Sequence, residues 1–516
     1  MNNDSVVVSK NKPKDLTEWL RYGQITLLGF SAGIPFFLIF SSLSLWLSQA
    51  GLSKSTITYF SWAALGYSFK FLWAPLVDRL PIWGLTAFLG HRRGWLLLSQ
   101  CAVITAIVWM GLTNPQASEG HLTTMAFAAV LLGFSAATQD ISIDAWRIEV
   151  ANERTIAMMS SLYVIGYRIG MITSGAGALF LAAYFGTSAE QYSYEAWRSS
   201  YLIMAATMLV GVLTTLLIPE PQTAVKRAVH GVRDYVGILL LFAVFVMVFI
   251  VTYRWFSDYA SILNNQLVAW FGNQALGDVL SASFRLIVGL AVAVLAAGLI
   301  YRSPLVNRKM AQQTYVSPVS NLIQTYRGEA WLLLGIIVLY RVADIVLGVS
   351  ANLFYQDIGF DLEEIAWVSK TFGLVMTLSG GLLGGFIAKR YGVLRTMIVG
   401  AIASAATNLL FMVMAGLGDN LYYLVFLITA DNLAQGLSLT AFVGFLSLLV
   451  NKEFTASQYA IFSSIMTLFP KILGGYSGSM IDSLGYSGFF LTTAIMGLPA
   501  VALLLVAYKQ GKFTGK

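Results

Sequence analysis

Apolar residues run along this chain in unbroken blocks of about 20, the length of a membrane-crossing helix and not the alternation of a half-buried strand. Fourteen such blocks are read at 24–48, 55–77, 94–113, 122–145, 155–184, 199–218, 235–256, 279–301, 329–355, 363–388, 394–416, 421–450, 456–480 and 486–508. Each can cross about 30 Å of hydrocarbon as an α-helix, the longer ones with tilt. The junctions carry loop formers such as Thr113-Asn114-Pro115, Pro219-Glu220-Pro221 and Ser303-Pro304. The stretches 219–234 and 302–328 are polar linkers, and no loop is long enough for a soluble domain. The pattern predicts an all-α polytopic membrane protein and excludes an outer-membrane barrel.

Composition agrees. Only 11 % of the 516 residues are charged and 57 % are hydrophobic, against about 25 % charged in soluble domains. The net charge of +7 would suit nucleic acid if it were clustered on a soluble surface. Sorted over fourteen spans with the N-terminus inside, 23 of the 32 basic residues fall on the cytoplasmic side, three outside (Lys54, Arg198, Arg254), and six within spans. That bias sets both termini, 1–23 and 509–516, in the cytoplasm and leaves nothing for nucleic acid. The first 22 residues lack the apolar core of a cleavable signal. One cysteine, Cys101, forbids an internal disulfide, and His91, His121 and His230 are too scattered for a metal site. No phosphate-binding Gly-x-x-x-x-Gly-Lys-Ser/Thr loop occurs. No enzyme activity, cofactor or metal is expected.

The chain repeats itself. Ala157-Met-Met-Ser160-Ser161, then Arg168 and Gly175, matches Ala460-Ile-Phe-Ser463-Ser464, then Lys471 and Gly478. Two six-helix halves, 24–218 and 329–508, are therefore expected around a 219–328 linker that holds two extra spans, 235–256 and 279–301. Paired halves describe a rocking transporter with its site near the midplane.

At the inner face PLVDR at 75–79 ends span two, GHRRG at 90–94 opens span three, and GGLLGGFIAKRYG at 380–392 occupies the matching place in the second half. These resemble the Gly-x-x-x-Asp-Arg-x-Gly-Arg-Arg loop of the major facilitator superfamily, with an insertion in the first copy and Ala388 at the acidic position of the second. Glycines permit close helix approach, and Asp78 can pair with arginines or a helix end when the inner face is shut. Asp78, Arg79, Arg92 and Arg93, with Asp144 and Arg147, are the expected cytoplasmic gate.

KFLWAPLVDR at 70–79, GHRRGW at 90–95, QDISIDAWR at 139–147, GYRIGMITSGAGAL at 166–179, LYRVAD at 339–344, SKTFGL at 369–374, DNLAQGLSLTAFVGFL at 431–446 and NKEFTASQYA at 451–460 together resemble the AmpG muropeptide permeases. The resemblance covers nearly the whole chain outside the two extra spans. It implies a monomeric inner-membrane importer of GlcNAc-1,6-anhydro-MurNAc peptides driven by proton symport, serving peptidoglycan recycling and, through it, β-lactamase induction. Family members with acetyl-CoA as cargo make another bulky anion the alternative.

Charges inside a bilayer cost at least about 2.5–3.5 kcal/mol each, so they mark function or pairing. Lys70, Arg168, Arg341, Lys370 and Lys471 outnumber Asp140, Asp344 and Asp431 within the spans. A cationic surplus suits an anionic solute, and arginine grips carboxylates through two parallel hydrogen bonds. Lys70, Arg168, Arg341 and Lys471 are therefore expected to bind substrate, with Tyr67, Tyr167 and Tyr340 stacking on sugar faces and Asn432 and Gln435 meeting hydroxyls or amides. By the repeat, Arg168 and Lys471 would face each other across the pseudo-two-fold axis. Arg341 and Asp344, three apart, share a face and can pair. Asp140, Asp344 and Asp431 are the expected proton carriers.

Overall fold

A computed structural model describes residues 16–39, 41–52, 60, 67, 69–187, 191–222, 231–272, 274–360, 364–474 and 477–513. Every regular element among them is helical. The first half contains α1 (Glu18–Gln49), the short α2 (Ala74–Arg79), α3 (His91–Gly111), α4 (Glu119–Val150), α5 (Ile156–Tyr184) and α6 (Tyr194–Leu217). Between the halves lie α7 (Val232–Trp255), α8 (Ser257–Phe271), α9 (Gln274–Arg302) and the broken α10 (308–325). The second half contains α11 (330–357, interrupted at Tyr340 and Arg341), α12 (Trp367–Tyr391), α13 (Val393–Leu417), α14 (Leu421–Leu448), α15 (Thr455–Gly474) and α16 (Met480–Lys509).

Twelve helices among the described residues are long and apolar enough to cross a membrane. They account for twelve of the fourteen expected spans. The block at 55–77 falls mostly outside the described residues, and the block at 456–480 corresponds to α15, whose polar first turns and Lys471 lower its hydropathy. Two elements escaped the hydropathy reading because they are short and mixed in polarity: α8, between the extra spans, and α10, in a stretch that reads as a polar linker.

Each half packs helix against helix through small residues. Where α1 crosses α5, a Cβ placed on Gly166 would sit 2.0 Å from the Thr26 carbonyl oxygen, and one on Gly33 the same distance from that of Tyr167. Only glycine permits that approach, which fixes the rotation of α5 and so the direction of Tyr163, Tyr167 and Arg168. In the second half Gly380 and Gly436 do the same for α12 and α14.

The buried cores differ at the two ends of the bundle. One cluster around Trp46, Trp197 and Tyr201 belongs to the first half alone, and one around Phe354, Phe411 and Phe490 to the second alone. Two further clusters join the halves. In them Met158 and Ile143 meet Phe445 and Tyr459, and Trp73 and Leu76 meet Ala456 and Ala460. This joined end carries Arg79, Arg92, Arg93, Arg147, Lys389 and Arg390, and is the basic end of the bundle. The halves are thus packed together at the basic end and keep separate cores at the other.

Candidate functional site

Asp78 is the centre of the seal at the basic end. It closes α2, which Pro75 starts at a position where the missing N–H costs nothing. Its Oδ1 accepts from Arg92 Nη2 at 2.8 Å and from the Ala456 backbone N–H at 3.1 Å. Its Oδ2 accepts from the backbone N–H of Ser457 at 2.8 Å and from the Ser457 hydroxyl at 2.6 Å. A carboxylate from the first half therefore caps the N-terminus of α15 in the second half, where the free N–H groups and the helix dipole favour negative charge. Arg92, only 1 % exposed, spans from Asp78 to Glu149 Oε1 at 2.5 Å, and Glu149 also accepts from the Thr455 hydroxyl at 3.1 Å. A buried ion pair needs several such partners to persist.

Around this centre Arg79 reaches Glu453 at 3.4 Å, Lys389 reaches Glu18 at 2.9 Å, and the Ser161 hydroxyl donates to the Gly381 carbonyl at 2.7 Å. Each of these contacts joins one half to the other. Arg93, expected in the gate, departs from that reading. Its side chain donates to the Thr215 and Leu216 carbonyls, and its backbone N–H to Glu220, all within the first half. It fastens the end of α6 and does not bridge the halves.

Deeper in the first half lies a polar cluster. Arg147, fully buried, pairs with Asp144 at 3.0 Å, bonds Ser160, and lies over the rings of Tyr163 and of Tyr459 from the second half. Lys70 reaches the other oxygen of Asp144 at 3.8 Å. Asp140, one turn before Asp144, accepts from the Tyr163 hydroxyl at 3.4 Å and lies in electrostatic range of Lys70. Tyr67, Phe36, Tyr167 and Tyr163 form a chain of neighbouring rings beside these charges, with centroids 6.1–6.3 Å apart. The Tyr67 hydroxyl is buried without a hydrogen-bond partner. Charged groups edged by aromatic faces and an unpaired hydroxyl suit a solute with both sugar and ionic parts.

In the second half Arg341 and Asp344 form the expected pair, at 3.3 Å, and Asp344 also accepts from Ser404. Asp431 accepts from Thr407 at 3.1 Å and from Gln435 at 2.6 Å, and lies in electrostatic range of Asp344. Two expected contacts are corrected here. The Tyr340 hydroxyl sits inside the bundle between the Met397 carbonyl and Ser438, its ring 4.5 Å from that of Phe442. Asn432 is committed to the α12–α14 crossing, accepting from Thr377 at 2.7 Å and donating to the Ile428 carbonyl at 3.0 Å. Tyr340→Phe should accordingly leave substrate KM unchanged while lowering thermal stability by about 1 kcal/mol, the worth of a buried hydrogen bond.

Between the two clusters Arg168 of α5 and Arg341 of α11 lie in range of each other's charge. Among the described residues no carboxylate pairs with Arg168. The side chains of Lys370 and Lys471 lie outside the described residues, and with them the expected facing of Arg168 and Lys471. Tyr163 completes the constellation with Glu149, Thr455, Ser457 and Tyr459, four residues that the sequence reading did not place in the site. The signals for Ser457 were its position in the first turn of a helix, two residues after Thr455, and its place within the motif at 451–460.

The sequence profile of the Major Facilitator Superfamily matches residues 25–317 and 332–514. The chain belongs to the Major Facilitator Superfamily. A relative from Rickettsia conorii, named putative transporter AmpG 4, is 29 % identical over 94 % of this chain and 96 % of its own. The anhydromuropeptide permease of Escherichia coli K12 is 28 % identical over 95 % of this chain and 80 % of its own. Among solved structures, the proton:xylose symporter XylE bound to 6-bromo-6-deoxy-D-glucose superposes with a TM-score of 0.57 at 14 % identity, covering 96 % of this chain and 97 % of its own. FucP in its outward conformation gives 0.53 at 12 % identity, over 95 % and 99 %. A multi-pass membrane transporter of this superfamily, similar over nearly its whole length to AmpG-type permeases, is the result.

Proposed function

We propose that this chain imports anhydro-muropeptides, disaccharide peptides with free carboxylates, across the bacterial inner membrane by proton symport, as a monomer and for peptidoglycan recycling. The observation that carries the reading is that two guanidiniums, Arg168 and Arg341, one from each half, lie in range of each other's charge, and that Arg168 has no carboxylate partner among the described residues. A guanidinium without a carboxylate partner, facing a second guanidinium in a low-dielectric site, is unfavourable until an anion joins them. A stem-peptide carboxylate between them would tie the halves together, and Tyr67 and Tyr167 would flank the sugars. The named relatives point to the same cargo.

With the basic end cytoplasmic, as the charge bias supports, the seal around Asp78 closes the path inward and the conformer is the one that loads from the periplasm. Asp140, Asp344 and Asp431 are the candidate proton carriers. Each is buried beside another charged group, so substrate arrival at Arg341 would change what Asp344 is paired with. Lys70, Asp144 and Arg147 pass that change to the gate through Tyr459.

Uptake of labelled disaccharide tripeptide into energised right-side-out vesicles tests the cargo. Accumulation should be blocked by unlabelled muropeptide and not by coenzyme A thioesters. The reverse pattern would move the assignment to another bulky anion. In sodium-free buffer a protonophore should collapse the accumulation, and a strict requirement for sodium would overturn proton coupling.

A further inference from the structure

An apolar cleft of about 390 Å³ opens beside the gate, within the roughly 300–1,000 Å³ of ordinary ligand sites. Its walls come from four parts of the chain that are far apart in sequence. Phe71 and Pro75 lead into Asp78, Phe245 and Gly298 face each other on the extra spans α7 and α9, and Tyr301 and Tyr315 close the end toward α10. Ser457, which bonds Asp78, also lines it.

Three observations bear on what fills the cleft. Gly298 lines it on α9, and a Cβ there would meet nothing within 4 Å, so a larger side chain at 298 has room to enter the cleft. The Tyr315 hydroxyl is buried at the wall without a hydrogen-bond partner. Tyr301 and Ala311 of the lining bracket a basic segment, and the stretch from 302 to 328 carries Arg302, Arg308, Lys309 and Arg327 and not one acidic residue. Arg302, Arg308 and Lys309 are exposed, and Arg308 donates to the Arg302 carbonyl at 2.9 Å, which keeps the two guanidinium-bearing segments together. An apolar slot that ends in a cationic rim at the bilayer surface has the chemistry of an anionic phospholipid: acyl chain inside, ester beside Tyr315, phosphate among the arginines.

We propose that the cleft between the extra helices and the gate binds one anionic phospholipid of the leaflet at the basic end, and that its acyl chain braces α2 and α15 in the shut arrangement. The extra helices α7 and α9 thereby form the far wall of a lipid site whose near wall is the gate. Lipid binding there does not depend on the identity of the cargo.

Native mass spectrometry of the full chain, supplied with phosphatidylglycerol or phosphatidylcholine, tests it. One phosphatidylglycerol should be retained per chain in preference to phosphatidylcholine. Gly298→Phe should expel it by filling the slot, and R302Q and R308Q, both at exposed positions, should each weaken retention about fivefold. Phosphatidylglycerol should also raise the melting temperature of the wild type and not that of Gly298→Phe. If Gly298→Phe fails to fold, the arginine variants decide. Equal retention of the two lipids, or unchanged retention in R302Q and R308Q, overturns the proposal.

Discussion

Asp78→Ala should abolish accumulation of labelled muropeptide and leave the inner gate unable to stay shut. Asp78 accepts four hydrogen bonds, three of them from Ala456 and Ser457 across the boundary between the halves. Alanine removes the cap of α15, worth about 1–2 kcal/mol, and half of the buried charge balance around Arg92, where a broken pair costs about 3–5 kcal/mol. The loss of the cap falls on the shut conformer alone, because Ala456 and Ser457 reach Asp78 only while the halves meet, whereas the Asp78–Arg92 pair lies within the first half. A differential loss of about 1–2 kcal/mol changes the ratio of shut to open molecules by about tenfold. A cysteine at Ala460, buried at the joined end, reports the change in a Cys101→Ser background. In the Asp78→Ala variant it should react with a cytoplasmic maleimide about tenfold faster. Asp78→Glu keeps the charge and should fall between. Unchanged labelling together with unchanged uptake would remove Asp78 from the gate.

The parts of this gate that were legible in the sequence and the parts that were not divide along a physical line. Asp78 and Arg92 stood out because charge beside glycine at the end of an apolar block has few structural uses. The partner of Asp78 did not, because Ser457 is 379 residues away and looks like an ordinary first-turn serine until the halves are docked. Glu149 read as the polar tail of a span. The membrane helices were legible because about 20 apolar residues have one solution in lipid, whereas α8 and α10 are short elements of mixed polarity that hydropathy does not single out.

Within the spans the errors share a cause. Tyr340 and Asn432 were chosen for lying next to Arg341 and Asp431 in sequence, yet consecutive residues on a helix point about 100° apart. Asp431 faces Thr407 and Gln435, so Asn432 turns to α12, and Tyr340 turns into the bundle toward Ser438. Gln435, expected to meet hydroxyls or amides of the cargo, lies a full turn from Asp431 and donates a hydrogen bond to it. The pair Arg341 and Asp344, three apart, formed as the helix repeat requires.

Arg168→Ala should lower kcat/KM for muropeptide by at least about 30-fold without lowering stability. Truncating one partner of a desolvated charge pair costs about 2–5 kcal/mol, and in the proposed loaded state Arg168 pairs with the cargo and with nothing else. In the empty protein the like charge of Arg341 acts on it, so removing it relieves repulsion, and the melting temperature should hold or rise. That combination separates a binding role from a structural one, for which uptake and stability would fall together. Arg168→Lys should recover only part of the activity, since an ammonium supplies charge but not the two parallel donors that match a carboxylate. Arg341→Ala should be less clean, because it also strands Asp344. If the two arginines share one carboxylate, the double variant should lose less than the sum of the single losses in free energy. Strict additivity would place them on different groups of the cargo, and full transport by Arg168→Ala would end the carboxylate clamp altogether.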